Sequence, residues 1–130
     1  MDFGIIDGHA HIFPPLADAC GFSDSATHLL YQQYAMHVHG NQPYRRLRDS
    51  ARVNARPLWM ANDPSESGRR TDVDFHVDTC GRFAWECDGE AQYVQFLPPY
   101  MADLSMPAEV LVRGMDYAGI EMAILQNDHI

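Results

Sequence analysis

The feature that most constrains the fold is an amphipathic helix pattern followed directly by a short apolar run, near the end of the chain. Pro107 stands where a first helical turn would begin, Gly119 is a suitable end, and the apolar positions between them recur at helical spacing. Residues 122–125 then form a short apolar run, and residues 3–6 form a second one that ends in Asp-Gly. Since strands buried on both faces are short and apolar, the pattern predicts a parallel strand pair joined by a helix, the building unit of α/β folds.

The segment after the first strand predicts a helix and then a basic surface. Asp24 is a helix-capping residue type and Gly40 is a suitable stop, so residues 24–39 are predicted to be helical. Residues 41–57 carry five arginines, whose spacing suits one exposed helical face. That cluster is compatible with a solvated surface and with a site that binds a substrate carboxylate through bidentate guanidinium contacts.

Residues 71–99 predict a small antiparallel sheet. Apolar and polar side chains alternate over residues 72–78, which is typical of a strand with one face in water. Two more extended runs, 82–86 and 91–97, follow Cys-Gly and Asp-Gly turn signals. We therefore expect a three-stranded meander inserted between the first strand and the last helix.

Composition excludes several classes of function. Eighteen acidic residues against nine basic ones give a net charge of -9, which opposes binding to nucleic acid. Every basic residue is an arginine, so catalysis through a lysine Schiff base is excluded for this chain. The start of the chain has neither a signal-peptide pattern nor a membrane span, and three cysteines without Cys-x-x-Cys spacing predict reduced thiols in a packed interior. We expect a soluble, cytoplasmic protein that is not bound to a membrane.

Two histidines follow the first predicted strand at alternate positions. In extended backbone, alternate side chains lie on one face about 6.6–7 Å apart, so Asp7, His9 and His11 are expected to project the same way. This is the carboxyl end of the strand, where parallel barrels carry their catalytic residues. His9 and His11 are therefore predicted to be metal ligands. Asp7 either orients a ligand imidazole or is a turn residue beside Gly8.

The other histidines are not expected to bind a metal. His37 and His39 repeat the His-x-His spacing, but they lie in the predicted helix, where residues two apart point to different sides. His28 lies on the same helix, and His76 lies in the alternating strand. Both are interpreted as packed or water-facing residues.

Residues 5–14, Ile-Ile-Asp-Gly-His-Ala-His-Ile-Phe-Pro, resemble the Asp-x-His-x-His strand-one motif of the amidohydrolase superfamily. Residues 115–125 resemble the helix-one to strand-two segment of the branch that contains aminocarboxymuconate-semialdehyde and resorcylate decarboxylases. The resemblance implies that residues 1–130 are the N-terminal part of one (β/α)8 TIM-like barrel domain, with 71–99 as a small antiparallel β insertion between strand one and helix one. It also implies that His9 and His11 bind a divalent metal ion such as zinc.

The same resemblance implies a metal-dependent hydrolase or decarboxylase that acts on a small organic substrate, either carboxylate-bearing or aromatic. Family members take further ligands, two histidines and an aspartate, from later strands, and a complete barrel needs about 250 residues. The chain is therefore expected to be an N-terminal fragment that is inactive alone. Asn127 and His129 follow the second strand and are predicted to contact substrate, unless they belong to a frayed terminus.

Two other functions remain open from the sequence. One is a catalytically incomplete or partner-dependent domain without activity of its own, because two histidines do not fill a four-ligand site. The other is a His-x-His phosphoesterase of the polymerase-and-histidinol-phosphatase type. Trp59, Phe83 and Trp85 either line an aromatic substrate pocket or pack in the core. The sequence also leaves open a homo-oligomer.

Overall fold

The computed structural model describes residues 4–12, 15–54, 57–101 and 107–126. The protein is a mixed α/β protein whose described residues form two helices and six strands. Two short 3₁₀ turns, Glu66–Gly68 and Pro99–Met101, accompany them. The helices are α1 (Ser25–His39) and α2 (Ala108–Ala118), and the strands are β1 (Ile5–Ala10), β2 (Arg45–Arg46), β3 (His76–Asp78), β4 (Arg82–Cys87), β5 (Glu90–Gln95) and β6 (Ile120–Leu125).

The chain divides into two compact units. The first comprises Met1–Pro15 and Leu104–Ile130, and the second comprises Leu16–Asp103. In the first unit, β1 and β6 pair in parallel, and Gly119 caps the end of α2 immediately before β6. The predicted helix-strand segment and parallel strand pair are thus confirmed.

The prediction that the parallel strands are buried on both faces is wrong for the described residues. Ile5 and Ile6 are 55 % and 59 % exposed, and Met122 and Ile124 on β6 are also largely exposed. A parallel sheet is normally covered on both faces by crossover helices. The described helix in the same unit as this pair is α2, and α2 contributes no buried residue.

In the second unit, α1 begins and ends where the sequence predicts. An Asp24 carboxylate oxygen accepts a hydrogen bond of 2.7 Å from the Thr27 backbone N–H and so satisfies one of the unpaired donors of the first turn. At the other end, the Gly40 N–H donates to the Met36 carbonyl oxygen at 3.2 Å. The side-chain cap therefore fixes the start of the helix.

Replacing Asp24 with alanine should lower the free energy of unfolding at neutral pH, whereas asparagine, which retains an acceptor oxygen, should lower it less. The hydrogen bond from the Thr27 N–H holds the pKa of Asp24 below its ordinary value of 3.8. This stabilisation is therefore present above the ordinary pKa and is lost as pH falls through the lowered one. Urea denaturation at neutral and strongly acidic pH measures the change. A difference between wild type and Asp24→Ala that is equal at both pH values would contradict it.

The second unit also holds a four-stranded antiparallel sheet in the order β2-β5-β4-β3. The three strands predicted within 71–99 are present, and Asp88 and Gly89 form the two-residue turn between β4 and β5 with φ of 54° and 76°. Positive φ at both positions suits a tight hairpin. The first predicted strand is shorter than expected because Asp74, with φ of 51°, interrupts the extended backbone before β3.

The helical prediction for the basic segment is wrong. Arg45 and Arg46 form β2, which pairs with β5 as a fourth strand of the sheet. Arg46 contacts Asp49 at 3.0 Å and Arg48 contacts Glu90 at 3.2 Å, so these guanidinium groups already have carboxylate partners on the surface. The tight turn that follows β2 excludes a helix here. The ion pairs favour the interpretation of the arginine cluster as a solvated surface over its interpretation as a substrate-binding site.

The core of the second unit is aromatic. Phe83 and Trp85 on β4 are fully buried, and the Trp85 Nε1–H donates to the Gln92 side-chain oxygen at 3.1 Å. Both residues therefore pack the core and do not line a pocket. Cysteine placement differs from the prediction: Cys87 is buried, but Cys80 is exposed, because it occupies a turn with φ of 57°. In the described part of the chain, neither helix has the length and apolar character needed to cross a membrane.

Candidate metal centre

The two predicted ligands lie at the carboxyl end of β1. His9 is within the strand, and His11 follows directly after it. The pairing with β6 continues to this end, because the Gln126 N–H donates to the Ala10 carbonyl oxygen at 2.9 Å. The histidines thus stand where two parallel strands end together, the edge at which α/β proteins bind ligands.

An irregularity in β1 precedes this edge. Asp7 pairs with Ala123 and Ala10 pairs with Leu125, so β1 advances by three residues while β6 advances by two. A bulge of this kind leaves one residue unpaired and changes the direction of nearby side chains. The sequence pattern did not predict the bulge, although Gly8 within this stretch is a residue type that often marks one.

The imidazoles of His9 and His11 converge. Their Nε2 atoms are 2.7 Å apart, and their ring centroids are 4.7 Å apart with the planes inclined at 60°. At that distance one Nε2–H donates to the lone pair of the other Nε2. The expectation from the alternating spacing, that both side chains lie on one face, agrees with this geometry.

The two imidazoles could supply two ligands of a tetrahedral zinc site only after their Nε2 atoms move apart. Two nitrogen ligands at about 2.0–2.1 Å from zinc lie about 3.3–3.4 Å apart. The present distance of 2.7 Å would therefore increase by about 0.6 Å as the shared proton left. His9 is exposed and His11 is half-buried, so a rotation of this size does not disturb a packed core.

Asp7 has a local role in the strand. Its Oδ1 accepts a hydrogen bond of 3.0 Å from the His9 backbone N–H, which is the pattern of an Asx turn. This contact fixes the backbone that carries His9. Orientation of an imidazole by the Asp7 carboxylate stays a prediction.

Within the described ranges, no three His, Cys, Asp or Glu side chains are grouped so as to hold a metal ion. His9 and His11 therefore supply two donors, and a four-ligand site needs two more. Asn127 and His129, the predicted substrate contacts, lie outside the described residues.

The remaining histidines occupy other surroundings in the second unit. His37, half of the second His-x-His pair, stacks on Trp59 with ring centroids 4.9 Å apart. His28 is buried with its Nδ1 2.6 Å from the Asp18 carbonyl oxygen, and the His76 Nδ1 is 2.6 Å from the Asp74 carbonyl oxygen. Each of these imidazoles has a local packing or hydrogen-bonding role.

Comparison of the chain with family models, with curated proteins and with solved structures gave no match. The support for the candidate site is therefore its geometry. The Nε2 atoms of two imidazoles lie 2.7 Å apart, at the edge where two parallel strands end.

Proposed function

We propose that His9 and His11 are the first two ligands of a divalent-metal site, in a metal-dependent hydrolase or decarboxylase of the amidohydrolase type. The observation that carries the proposal is the convergence of the two Nε2 atoms at the carboxyl end of β1. The substrate class is a small organic molecule that is carboxylate-bearing or aromatic, and zinc is the proposed ion. The remaining ligands would come from outside the described residues.

The proposed architecture is the N-terminal part of a (β/α)8 barrel. Its support is the parallel β1-β6 pair with α2 between its strands in the chain. The exposed isoleucines of β1 also support it, because the further strands and helices of a barrel cover such side chains.

The chain's own residues have separable tasks in such a site. His9 and His11 would bind through Nε2, and the Asp7 carboxylate would hold the backbone that positions His9. A divalent ion bound there supplies Lewis acidity and lowers the pKa of a coordinated water to about 7. That chemistry suits hydrolysis of a carbonyl compound, and in a decarboxylase the same charge would orient a substrate carboxylate.

Titration of the 130-residue chain with Zn²⁺, followed by calorimetry, tests the ligand assignment. Wild type should bind one equivalent, and His9→Gln or His11→Gln should each weaken binding by at least about tenfold, since loss even of groups that only orient ligands weakens binding this much. His39→Gln is the matched control, because His39 is an exposed histidine on α1. Equal Zn²⁺ affinity in all four proteins would refute the assignment.

A second candidate function is a domain that binds metal but has no activity of its own. The observation that favours this candidate is that the described residues place no third possible metal ligand beside His9 and His11. Hydrolysis of p-nitrophenyl acetate separates the two candidates. The assay uses a chain that also carries the proposed further ligands: a rate that depends on Zn²⁺ and is lost in His9→Gln supports the enzyme, whereas tight His9-dependent binding without any Zn²⁺-dependent rate supports the inactive domain.

A further inference from the structure

An open groove of about 500 Å³ lies beside α1, within the Leu16–Asp103 unit. One wall is a stripe of the helix formed by Leu30, Tyr31 and Tyr34, which share a face because residues three and four apart are neighbours on a helix. Phe22 and Trp59 also line the groove, each in contact with a tyrosine of this stripe. The volume falls within the range of small-molecule sites, which are about 300–1,000 Å³.

Four aromatic rings line the groove as two pairs. Phe22 and Tyr31 have centroids 5.2 Å apart, and Tyr34 meets Trp59 edge-on at 5.7 Å. Trp59 is held in place, because its Nε1–H donates to the Ser65 carbonyl oxygen at 2.9 Å and its ring stacks on His37. Trp59 is 4 % exposed and supports its neighbour Tyr34, so the apolar surface open to a planar ring comes mainly from Leu30 and Tyr34, which are each 43 % exposed.

Arg69 is the one arginine among the described residues that line the groove. Its side chain is 19 % exposed, and its buried Nε has no hydrogen-bond partner in the described part of the chain. The Glu66 carboxylate lies 3.6 Å from Nη1 but is 86 % exposed. A pair of that length and exposure is weak and easily exchanged.

The neighbouring Arg70, in contrast, has a carboxylate partner for its guanidinium group. Its Nε and Nη2 donate to the two carboxylate oxygens of Asp72 at 3.0 and 2.8 Å. This bidentate contact raises the pKa of Arg70 above its ordinary value. Arg69 lacks such a partner among the described residues, although an arginine on an apolar groove is the residue type suited to bind a carboxylate bidentately.

We propose that this groove binds a small planar aromatic carboxylate. The ring would pack against the aromatic walls, and the carboxylate would replace Glu66 on the Arg69 guanidinium. Apolar walls with one charged group that fixes orientation are the usual make-up of a small-ligand site. The proposal does not depend on the His9–His11 site, and it can be tested without metal.

Binding of 2-naphthoate and of its neutral analogue 2-naphthalenemethanol to the 130-residue chain, measured by calorimetry in metal-free buffer, tests the charge requirement. The naphthoate should bind at least tenfold more tightly than the alcohol. Arg69→Gln should abolish that preference, whereas Arg52→Gln, an exposed arginine outside this groove, should retain it. Equal binding of both probes by wild type, or no binding of either, would overturn the proposal.

A second variant, Glu66→Gln, tests the same proposal through an increase in affinity, so the test does not depend on whether Arg69→Gln folds. Glu66→Gln removes the competing carboxylate from an exposed position, so naphthoate affinity should rise by about two- to fivefold, the range set by a weak surface ion pair. Glu109→Gln on α2 makes the same charge change outside the groove and should have no effect. An unchanged affinity in Glu66→Gln, or an equal rise in both variants, would contradict displacement of Glu66.

Discussion

Replacing Phe83 with alanine is expected to lower the free energy of unfolding by about 3–5 kcal/mol, the usual cost of deleting a buried phenylalanine ring. Phe83 has no exposed surface, and its ring lies 5.3 Å from that of Phe75 and 5.2 Å from that of Phe96. It is the second residue of β4 and pairs with Val77 on β3 and Val94 on β5, so neither neighbouring strand can close the cavity without breaking its pairing.

The control for this prediction is Tyr100→Ala. Tyr100 is 77 % exposed, so the loss of a ring of similar size should change stability by no more than about 0.5 kcal/mol. Urea denaturation followed by tryptophan fluorescence is the measurement, because Trp59 and Trp85 both belong to the Leu16–Asp103 unit. Similar losses in the two variants would show that Phe83 is not a central core residue.

The parts of the fold that the sequence predicts are those set by local chemistry. Asp24 caps α1 through a hydrogen bond to a residue three positions on, and the Asp88-Gly89 turn needs positive φ at adjacent residues. Both effects depend on a few consecutive residues. The role of Arg45 and Arg46 as a fourth strand depends instead on pairing with Tyr93 and Gln92, far away in the chain, and their own residue types give no signal of it.

The candidate metal centre also has features that nearby residues determine and features that depend on distant residues. The two-residue spacing of His9 and His11 predicts a common direction for their side chains, but His11 lies just after β1 and a bulge precedes it, so the approach of the two Nε2 atoms to 2.7 Å is not specified by the spacing. A complete ligand set would require residues that are distant in sequence, and no spacing within the strand-one motif specifies them. The bulge between Asp7 and Ala10 was likewise missed, because it depends on the register with β6.

The groove was missed for a related reason, although part of its signal is visible in the chain. Leu30, Tyr31 and Tyr34 recur at helical spacing, which predicts one apolar stripe on α1 but not what faces it. Two other residues of the lining, Trp59 and Arg69, come from the segment between β2 and β3, and their positions in the chain do not indicate that they lie beside α1. Trp59 is buried as Phe83 and Trp85 are, but it also borders the groove.

The loop that carries Trp59 and Arg69 has a second feature with a large expected consequence: it has no room for a side chain at Gly68. A Cβ built there would overlap the Asp63 carbonyl oxygen and lie 2.8 Å from Trp59 Nε1. The Gly68 backbone is fixed as well, since its N–H donates to Ser65 and its carbonyl accepts from Met60 at 2.9 and 2.8 Å. The Asp63 carbonyl belongs to the backbone and cannot move aside as a flexible side chain can. A side chain at position 68 would therefore displace the loop.

Gly68→Ala should therefore lower the free energy of unfolding by about 1–3 kcal/mol, the usual cost of inserting a methyl group into packed surroundings. It should also weaken 2-naphthoate binding, because the displaced loop carries both Trp59 and Arg69. Gly114→Ala is the matched control: a Cβ there meets nothing within 4 Å, and alanine within α2 is favoured over glycine by about 0.8–1 kcal/mol. Urea denaturation and calorimetric titration of both variants measure the two effects. Wild-type stability and naphthoate affinity in Gly68→Ala would contradict the claim that close packing at Gly68 fixes the loop that carries Trp59 and Arg69.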